Sequence, residues 1–225
     1  MLIEVERKFK PDEEQMRRLL EGAEFESEEE LSDVYYDFTD YDLHNDDARL
    51  RNRDGEFIKK VHVEKKLKNI PKNFDIAFEY NERDIQEQLG WSREEATGKS
   101  FLEMIKEKMS GNKLSELGQF KISRRIYKKD GIKILVDKTD YGYDIVELEK
   151  VLVSEVEIPE AIDLITKIAY QAGLKGQFEQ KFPGKVKEYL RIKRPEIFQE
   201  LYKNESKETT SGSRLEQIMR FGKMK

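Results

Sequence analysis

The segment Leu2-Ile-Glu-Val-Glu-Arg-Lys-Phe9 leaves few folds open to this chain. In an extended strand successive side chains point to opposite faces, so Glu4, Glu6 and Lys8 form one row and Ile3, Val5 and Phe9 the other. The arrangement returns in Ile145-Val-Glu-Leu-Glu-Lys-Val-Leu-Val153, where Glu147 and Glu149 share a face opposite Val146 and Leu148. Either row alone could be the solvated side of an edge strand. Between them lie further candidate strands that mix charge with apolar residues: Leu50-Arg-Asn-Arg53, Phe57-Ile-Lys-Lys60, Phe120-Lys-Ile-Ser-Arg-Arg-Ile-Tyr127 and Ile132-Lys-Ile-Leu-Val-Asp137. Antiparallel strands that each send charge to one side can close into a barrel with a charged interior. The expected fold class is α+β: an antiparallel β-barrel tunnel of about eight strands, surrounded by helices. Buried charge must be paired or must hold an ion, so such a tunnel implies a highly charged guest. Carboxylates beside an ammonium suit a divalent metal on a polyanion.

Composition removes competing classes. With no cysteine, thiolate nucleophiles, disulfides, iron–sulfur clusters and cysteine zinc sites are excluded. No apolar stretch approaches the ~18 residues of a membrane span and no signal peptide is visible, so a cytoplasmic protein without membrane contact is expected. Charged residues make up 40% of the chain yet leave a net charge of −5, which argues against a nucleic-acid partner. The 225 residues suit one elaborate domain, expected over 1–201, as a monomer acting on a small molecule.

Along that domain, Pro11 opens a short helix with Met16, Leu19 and Leu20 on one face and Gly22 at its end. Residues 24–30 read as an acidic linker. A helical insertion is expected over about 70–118, with Ser92 and Glu95 as a capping box and Phe101, Met104, Ile105 and Met109 as an apolar stripe. Strands resume from Phe120 to Val156. Pro159 starts the clearest helix, with Ala161, Ile162, Ile165, Ile168, Ala169 and Ala172 on one face and Gly173 at its end. Two shorter helices follow, the second opened by Pro195, and 204–225 read as a poorly ordered tail. Gly98-Lys99-Ser100 has the end of a P-loop but Arg93 where that motif needs glycine. His44 and His62 lack triad or metal-ligand spacing and are expected on the surface.

Taken together, Ile3-Glu-Val-Glu-Arg-Lys-Phe9, Tyr35-Tyr-Asp37, Leu50-Arg-Asn-Arg53 and Glu147-Leu-Glu149 resemble the CYTH superfamily, or triphosphate tunnel metalloenzymes. Within it the chain looks most like the thiamine-triphosphatase branch, through Arg124-Arg-Ile-Tyr127, Tyr141-Gly-Tyr143, Pro183-Gly-Lys185 and Tyr189-Leu-Arg-Ile-Lys-Arg-Pro195-Glu-Ile-Phe198. The resemblance covers roughly residues 2–201. It implies a Mg²⁺-dependent hydrolase that converts thiamine triphosphate to thiamine diphosphate and phosphate, with Mn²⁺ as the other metal option.

On that resemblance, Glu147 and Glu149 with Asp137 are the expected metal ligands, since hard oxygen donors select Mg²⁺ or Mn²⁺. Glu4 and Glu6 would face them and hold the same ion through water, a second ion, or the attacking water. Lys8, Arg51, Arg53, Lys59, Arg124 and Lys185 would grip phosphate oxygens, the arginines as planar forks. Aligning Gly55 with the family's turn selects Lys59 and leaves Lys60 and Lys65 open. Strict alternation groups Arg124 with Ile122 and Ile126, and Arg125 with Lys121 and Ser123; the spacing to Tyr127 matches the family at Arg124. Water would attack in line, with positioning and charge neutralisation supplying most of the catalysis. Mammalian thiamine-triphosphatases carry an aromatic residue where this chain has Arg49, which brings in inorganic tripolyphosphate or a nucleoside triphosphate as substrates. A class IV-type adenylate cyclase and a non-catalytic polyphosphate-binding module are the other readings.

Overall fold

The computed structural model describes residues 1–63, 66–67, 70–71, 73–88, 90, 100–108 and 113–202, the side chains of 106–108 excepted. Eight strands, β1 (Leu2–Phe9), β2 (Glu24–Phe38), β3 (Ala48–Arg53), β4 (Glu56–His62), β5 (Asp75–Asn81), β6 (Leu114–Lys129), β7 (Ile132–Thr139) and β8 (Ile145–Leu152), close into a barrel in the order β1-β5-β4-β3-β2-β6-β7-β8. Every neighbouring pair is antiparallel. Helices α1 (Glu13–Leu20), α2 (Asp42–Asn45), α3 (Glu82–Gln88), α4 (Phe101–Lys108), α5 (Ile158–Gln171), α6 (Lys185–Lys193) and α7 (Pro195–Tyr202) surround it.

Alternation decides which groups face which side. The outward residues Ile3, Val5 and Phe9 of β1 and Val146 and Leu148 of β8 join Ala161, Ile162, Ile165, Ile168 and Ala169 of α5 in one core. Pro159 in the first turn of α5 needs no hydrogen bond there, and Gly173 ends the helix at φ 81°, a left-handed conformation that costs a glycine nothing. Arg7, also outward and buried, donates to the Phe178 carbonyl at 2.7 Å and lies 4.3 Å from the Phe178 ring centre, tying β1 to the segment after α5. A second core sets Phe101, Met104 and Ile105 of α4 against Leu50 and Phe57. Asp37 joins β2 to α2 by accepting from the backbone N–H groups of Phe38 (2.7 Å), Leu43 (3.0 Å) and His44 (2.9 Å), which gives Tyr35-Tyr-Asp37 a structural meaning.

At one barrel end the inward face turns apolar. Phe120, Ile122 and Ile145 pack with Tyr141 and Tyr143 against Val186 and Leu190 of α6, and Leu201 of α7 closes the cluster. Tyr189 lies on Gly118, where an added Cβ would stand 2.3 Å from Cε1 of the ring. Gly118→Ala is therefore expected to lift α6 from β6 and cost ~1–3 kcal/mol as an overpacking substitution. Thermal unfolding checks this, and an unchanged melting temperature would show that the ring can swing aside.

Three expectations change. Residues 24–30 are not a linker but the first half of β2, paired with the basic end of β6; Lys128 meets Glu26 at 2.5 Å and Arg125 meets Glu28 at 3.2 Å. The acidic run reads as a strand only once its basic partner is known. The stretch 70–118 is not helical throughout: β5 fills Asp75–Asn81, and β6 begins at Leu114 rather than Phe120. Strand structure stops at Leu152, and Glu155–Glu157 forms a helical turn that leads into α5. Ser92, Glu95, Lys65, Met109 and the tail 204–225 lie outside the described residues.

Candidate metal and phosphate tunnel

The inward rows line a cavity of about 700 Å³. The register sets charge opposite charge across neighbouring strands: Glu6 opposite both Glu149 and Asp75, Lys8 opposite Glu147, Lys60 opposite Glu79, Arg53 opposite Asp33 and Arg124 opposite Asp137. Lys8, Arg53, Lys60 and Arg124 therefore each find an acid without leaving their strands' ordinary geometry, whereas Arg49 stands opposite Lys60.

Two kinds of carboxylate result. Asp137, fully buried, accepts both guanidinium nitrogens of Arg124 at 2.7 and 2.6 Å and lies 2.8 Å from Lys185 Nζ. Glu147 accepts from Lys185 at 2.6 Å and from Arg124 at 3.5 Å. Burial works against charge on both acids, but Lys185 and Arg124 overcome it and hold both below their ordinary range. Asp33 forks Arg53 at 2.6 and 2.7 Å and also lies 3.7 Å from Arg51. The other kind is the group Glu4, Glu6 and Glu149, whose carboxylate oxygens lie within 4.8 Å of one another. Burial, then Glu4 and Glu6, push Glu149 up to about 8. Lys60 Nζ donates to both Glu4 oxygens at 2.6 and 2.8 Å and lies 3.0 Å from Glu79. Lys8 bonds Glu6 and meets Asp75 at 2.6 Å.

Lys185 owes its place to aromatic anchors. Tyr141 Oη donates to the Lys185 carbonyl and Tyr143 Oη to the Pro183 carbonyl, each at 2.7 Å. The turn between those tyrosines runs through Gly142 at φ 86°. Tyr141-Gly-Tyr143 and Pro183-Gly-Lys185 are thus two halves of one latch that aims the first side chain of α6 into the barrel.

The structure brings together Glu4, Glu6, Lys8, Arg51, Arg53, Arg124, Asp137, Glu147, Glu149 and Lys185. It does not bring Lys59: that side chain points to the outer face, 5.8 Å from the Tyr80 ring centre, where burial lowers its ammonium's pKa. Lys60 takes the inward position, because register from β5 fixes the parity of β4. Arg125 is exposed, so the inward member of the pair is Arg124. Of the five expected metal ligands, Asp137 and Glu147 pair with Arg124 and Lys185, Glu4 and Glu6 pair with Lys60 and Lys8, and the carboxylate oxygens of Glu4, Glu6 and Glu149 lie within 4.8 Å of one another. Neither histidine is an exposed surface residue. His62 lines the cavity, and His44 packs edge-on to Tyr202 at 4.8 Å. Asp33, Asp75 and Glu79 were missed; the spacing Asp75-x-Ala77-x-Glu79 carries the same alternation as β1 and could have revealed two of them.

The donor set fits a hard divalent cation. Three carboxylates hold oxygens within 4.8 Å, near the ~4.2 Å between opposite ligands of an ion with ~2.1 Å bonds, and no sulfur or imidazole belongs to the group. Burial, then Glu4 and Glu6, raise Glu149, and a cation would offset both the desolvation and the repulsion.

A family model described as the CYTH domain matches residues 2–182. Human thiamine-triphosphatase is 26% identical over 223 residues, covering 92% of this chain and 93% of that protein. Among solved structures, a putative adenylate cyclase from Vibrio parahaemolyticus superposes with a TM-score of 0.52 at 18% identity, covering 84% of this chain and 98% of that one. A Pyrococcus horikoshii OT3 protein gives 0.51 at 24% identity, covering 76% and 90%. These two likenesses concern the fold alone. With a domain model spanning most of its length and an eight-stranded barrel whose charged rows face inward, the chain belongs to the CYTH family.

Proposed function

We propose that this protein is a Mg²⁺-dependent triphosphatase that releases the terminal phosphate of a small-molecule triphosphate within a single working domain, residues 1–201. The observation that carries the reading is the Glu4–Glu6–Glu149 group set beside Lys60 and Lys8 and faced by Arg51, Arg53, Arg124 and Lys185. Glu4, Glu6 and Glu149 would hold Mg²⁺, with Mn²⁺ the alternative; when bound, the cation supplies Lewis-acid neutralisation of phosphate charge. Lys8, Arg51, Arg53, Lys60, Arg124 and Lys185 would take the phosphate oxygens. Asp137, Glu147 and Asp33 act one step back, holding Arg124, Lys185 and Arg53 in place.

The ion pairs explain why both signs are needed. Each base rests on a carboxylate, so the charges are desolvated and oriented before substrate arrives. With a cation and a triphosphate bound, Lys60 would turn from Glu4 to a phosphate oxygen, which would leave the Glu4 carboxylate to help hold the cation. A triphosphate of about −4 thereby gains contacts in a low-dielectric space at little reorganisation. Water attacks the terminal phosphorus in line with the leaving oxygen, and the lysines and arginines carry the charge that develops there.

Similarity to thiamine-triphosphatases supports thiamine triphosphate as substrate, whereas Arg49 in the cavity lining supports inorganic tripolyphosphate. Phosphate release from thiamine triphosphate, tripolyphosphate and ATP, with Mg²⁺ and with chelator, tests the reading. Mg²⁺-dependent phosphate release from at least one is the expected result. Pyrophosphate release from ATP would mark a cyclase, and stabilisation by triphosphate without turnover would mark a binding module.

A further inference from the structure

Strand β2, at 15 residues, far outruns the six of β3, and the difference leaves half of it with one partner. Residues 33–36 pair with β3 on one side, while pairing with β6 on the other runs from Glu24 to Phe38. The turn after β3 ends the first ladder: Asp54 N–H donates to the Ser32 carbonyl, and Ser32 N–H donates to the Asp54 carboxylate, each at 3.1 Å. Both backbone groups of Ser32 therefore face the side on which β3 has stopped. In a strand the N–H and C=O of one residue share a side and those of the next take the other, so Glu30 and Glu28 present theirs where Ser32 does. The β2–β6 register is unbroken from Ser27 to Tyr35, which keeps that parity. Among the described residues no group bonds the backbone of Glu28 or Glu30 from that side.

The side chains along this edge carry one sign. Residues 24–30 hold five glutamates and no base, and Glu24, Phe25, Glu26, Glu28 and Glu30 are exposed. Lys128 and Arg125, which meet Glu26 and Glu28, belong to β6 on the paired side, and among the described residues Glu24 and Glu30 form no ion pair. A second copy of this chain added edge to edge would set glutamate against glutamate, which is unfavourable for directly opposed residues. The charges that keep such an edge from pairing with itself favour an incoming strand of opposite sign.

We propose that Ser27–Leu31 of β2 is a docking edge for an extended basic segment of another protein. The segment adds as an antiparallel strand along the line that β3 leaves open, bonding the N–H and C=O groups of Glu28 and Glu30 and placing Lys or Arg side chains opposite those two glutamates. Its intervening side chains turn to the other face, beside Glu29 and Leu31.

The probe is an acetylated, amidated eight-residue peptide of alternating lysine and valine, titrated into the full chain at ~0.15 M salt, where exposed charge is well screened. Amide hydrogen exchange at Glu28 and Glu30 and the anisotropy of a labelled peptide are the readouts. Exchange at both amides is expected to slow about tenfold or more when peptide is bound. Affinity is expected to fall about tenfold when the lysine amides of the peptide are N-methylated, which removes the hydrogen bonds and keeps the charge. Glu30→Pro, which deletes an outward N–H and leaves the β6 ladder whole, should weaken binding to a similar degree. Glu30→Lys should do the same with the backbone intact, and melting temperatures establish that each variant is folded. A peptide that does not bind, one that binds equally well when N-methylated, or affinity unchanged in both Glu30 variants overturns the docking edge. Slowed exchange at Glu28 and Glu30 that grows with protein concentration and needs no peptide would show a second copy there and overturn the basic partner.

Discussion

Glu149→Gln is expected to lower Mg²⁺-dependent phosphate release by about 10²–10³-fold while leaving the melting temperature of the chelated protein nearly unchanged. The two halves of that outcome share one cause. Burial and the carboxylates of Glu4 and Glu6 raise Glu149 to about 8, so at neutral pH without metal it carries a proton that a glutamine amide replaces at similar shape. Only when a cation must be held does the missing charge matter. Metal-induced stabilisation, ~2.7 kcal/mol at a hundredfold excess over Kd, should appear in the unmodified protein and shrink in the variant. The pH dependence has a defined sign. Between the ordinary value of 4.5 and about 8 the folded, chelated protein keeps a proton that the unfolded chain has lost. Its stability therefore falls as pH rises through that window and levels off above it. Mg²⁺ binding displaces the proton and must strengthen over the same interval. Melting curves from pH 5 to 9, with and without Mg²⁺, read both trends; full turnover in Glu149→Gln would remove this residue from the metal group.

What the sequence made legible is what depends on local period. The rows Glu4, Glu6, Lys8 and Glu147, Glu149 are set by alternation within one strand, and α5 is bounded by Pro159 and Gly173 with its apolar stripe between them. What stayed hidden depends on pairing. Lys59 and Lys60 are one step apart after the Asp54–Gly55 turn, and only the register of Lys60 against Glu79 settles which one enters the barrel. The partner of Asp137 stayed hidden for a similar reason: Asp137 and Arg124 are cross-strand neighbours, a relation between residues thirteen apart that strand alternation alone does not reveal. The inward face of β6 carries Phe120 and Ile122 as well as Arg124, because α6 plugs that end with apolar residues while Lys185 reaches past them. A rule that charge lies inside and apolar groups outside therefore holds at mid-barrel and fails at the plugged end. Strand β5 is short and lies between a turn and the residues of helices α3 and α4, so its Asp75-x-Ala77-x-Glu79 alternation does not stand out from the expected helical insertion.

Arg124→Leu is expected to destabilise the protein by ~3–5 kcal/mol, whereas Arg125→Leu one residue away should cost no more than ~0.5 kcal/mol. Arg125 is exposed and meets the exposed Glu28. Arg124 is buried with both forks on Asp137 and a further contact to Glu147, so its removal leaves two buried carboxylates to share Lys185. If the loss comes from that uncompensated charge, Asp137→Asn in the Arg124→Leu background should restore much of the stability, and the coupling of the pair is read from a double-mutant cycle of chemical denaturation. The same cycle separates scaffold from chemistry. Asparagine relieves the stranded charge but supplies no guanidinium, so the refolded double variant should still show a raised KM for its triphosphate. Recovery of both stability and KM would mean that Arg124 serves only to neutralise Asp137; recovery of stability alone is the result expected of a residue that holds the barrel together and grips phosphate with the same group.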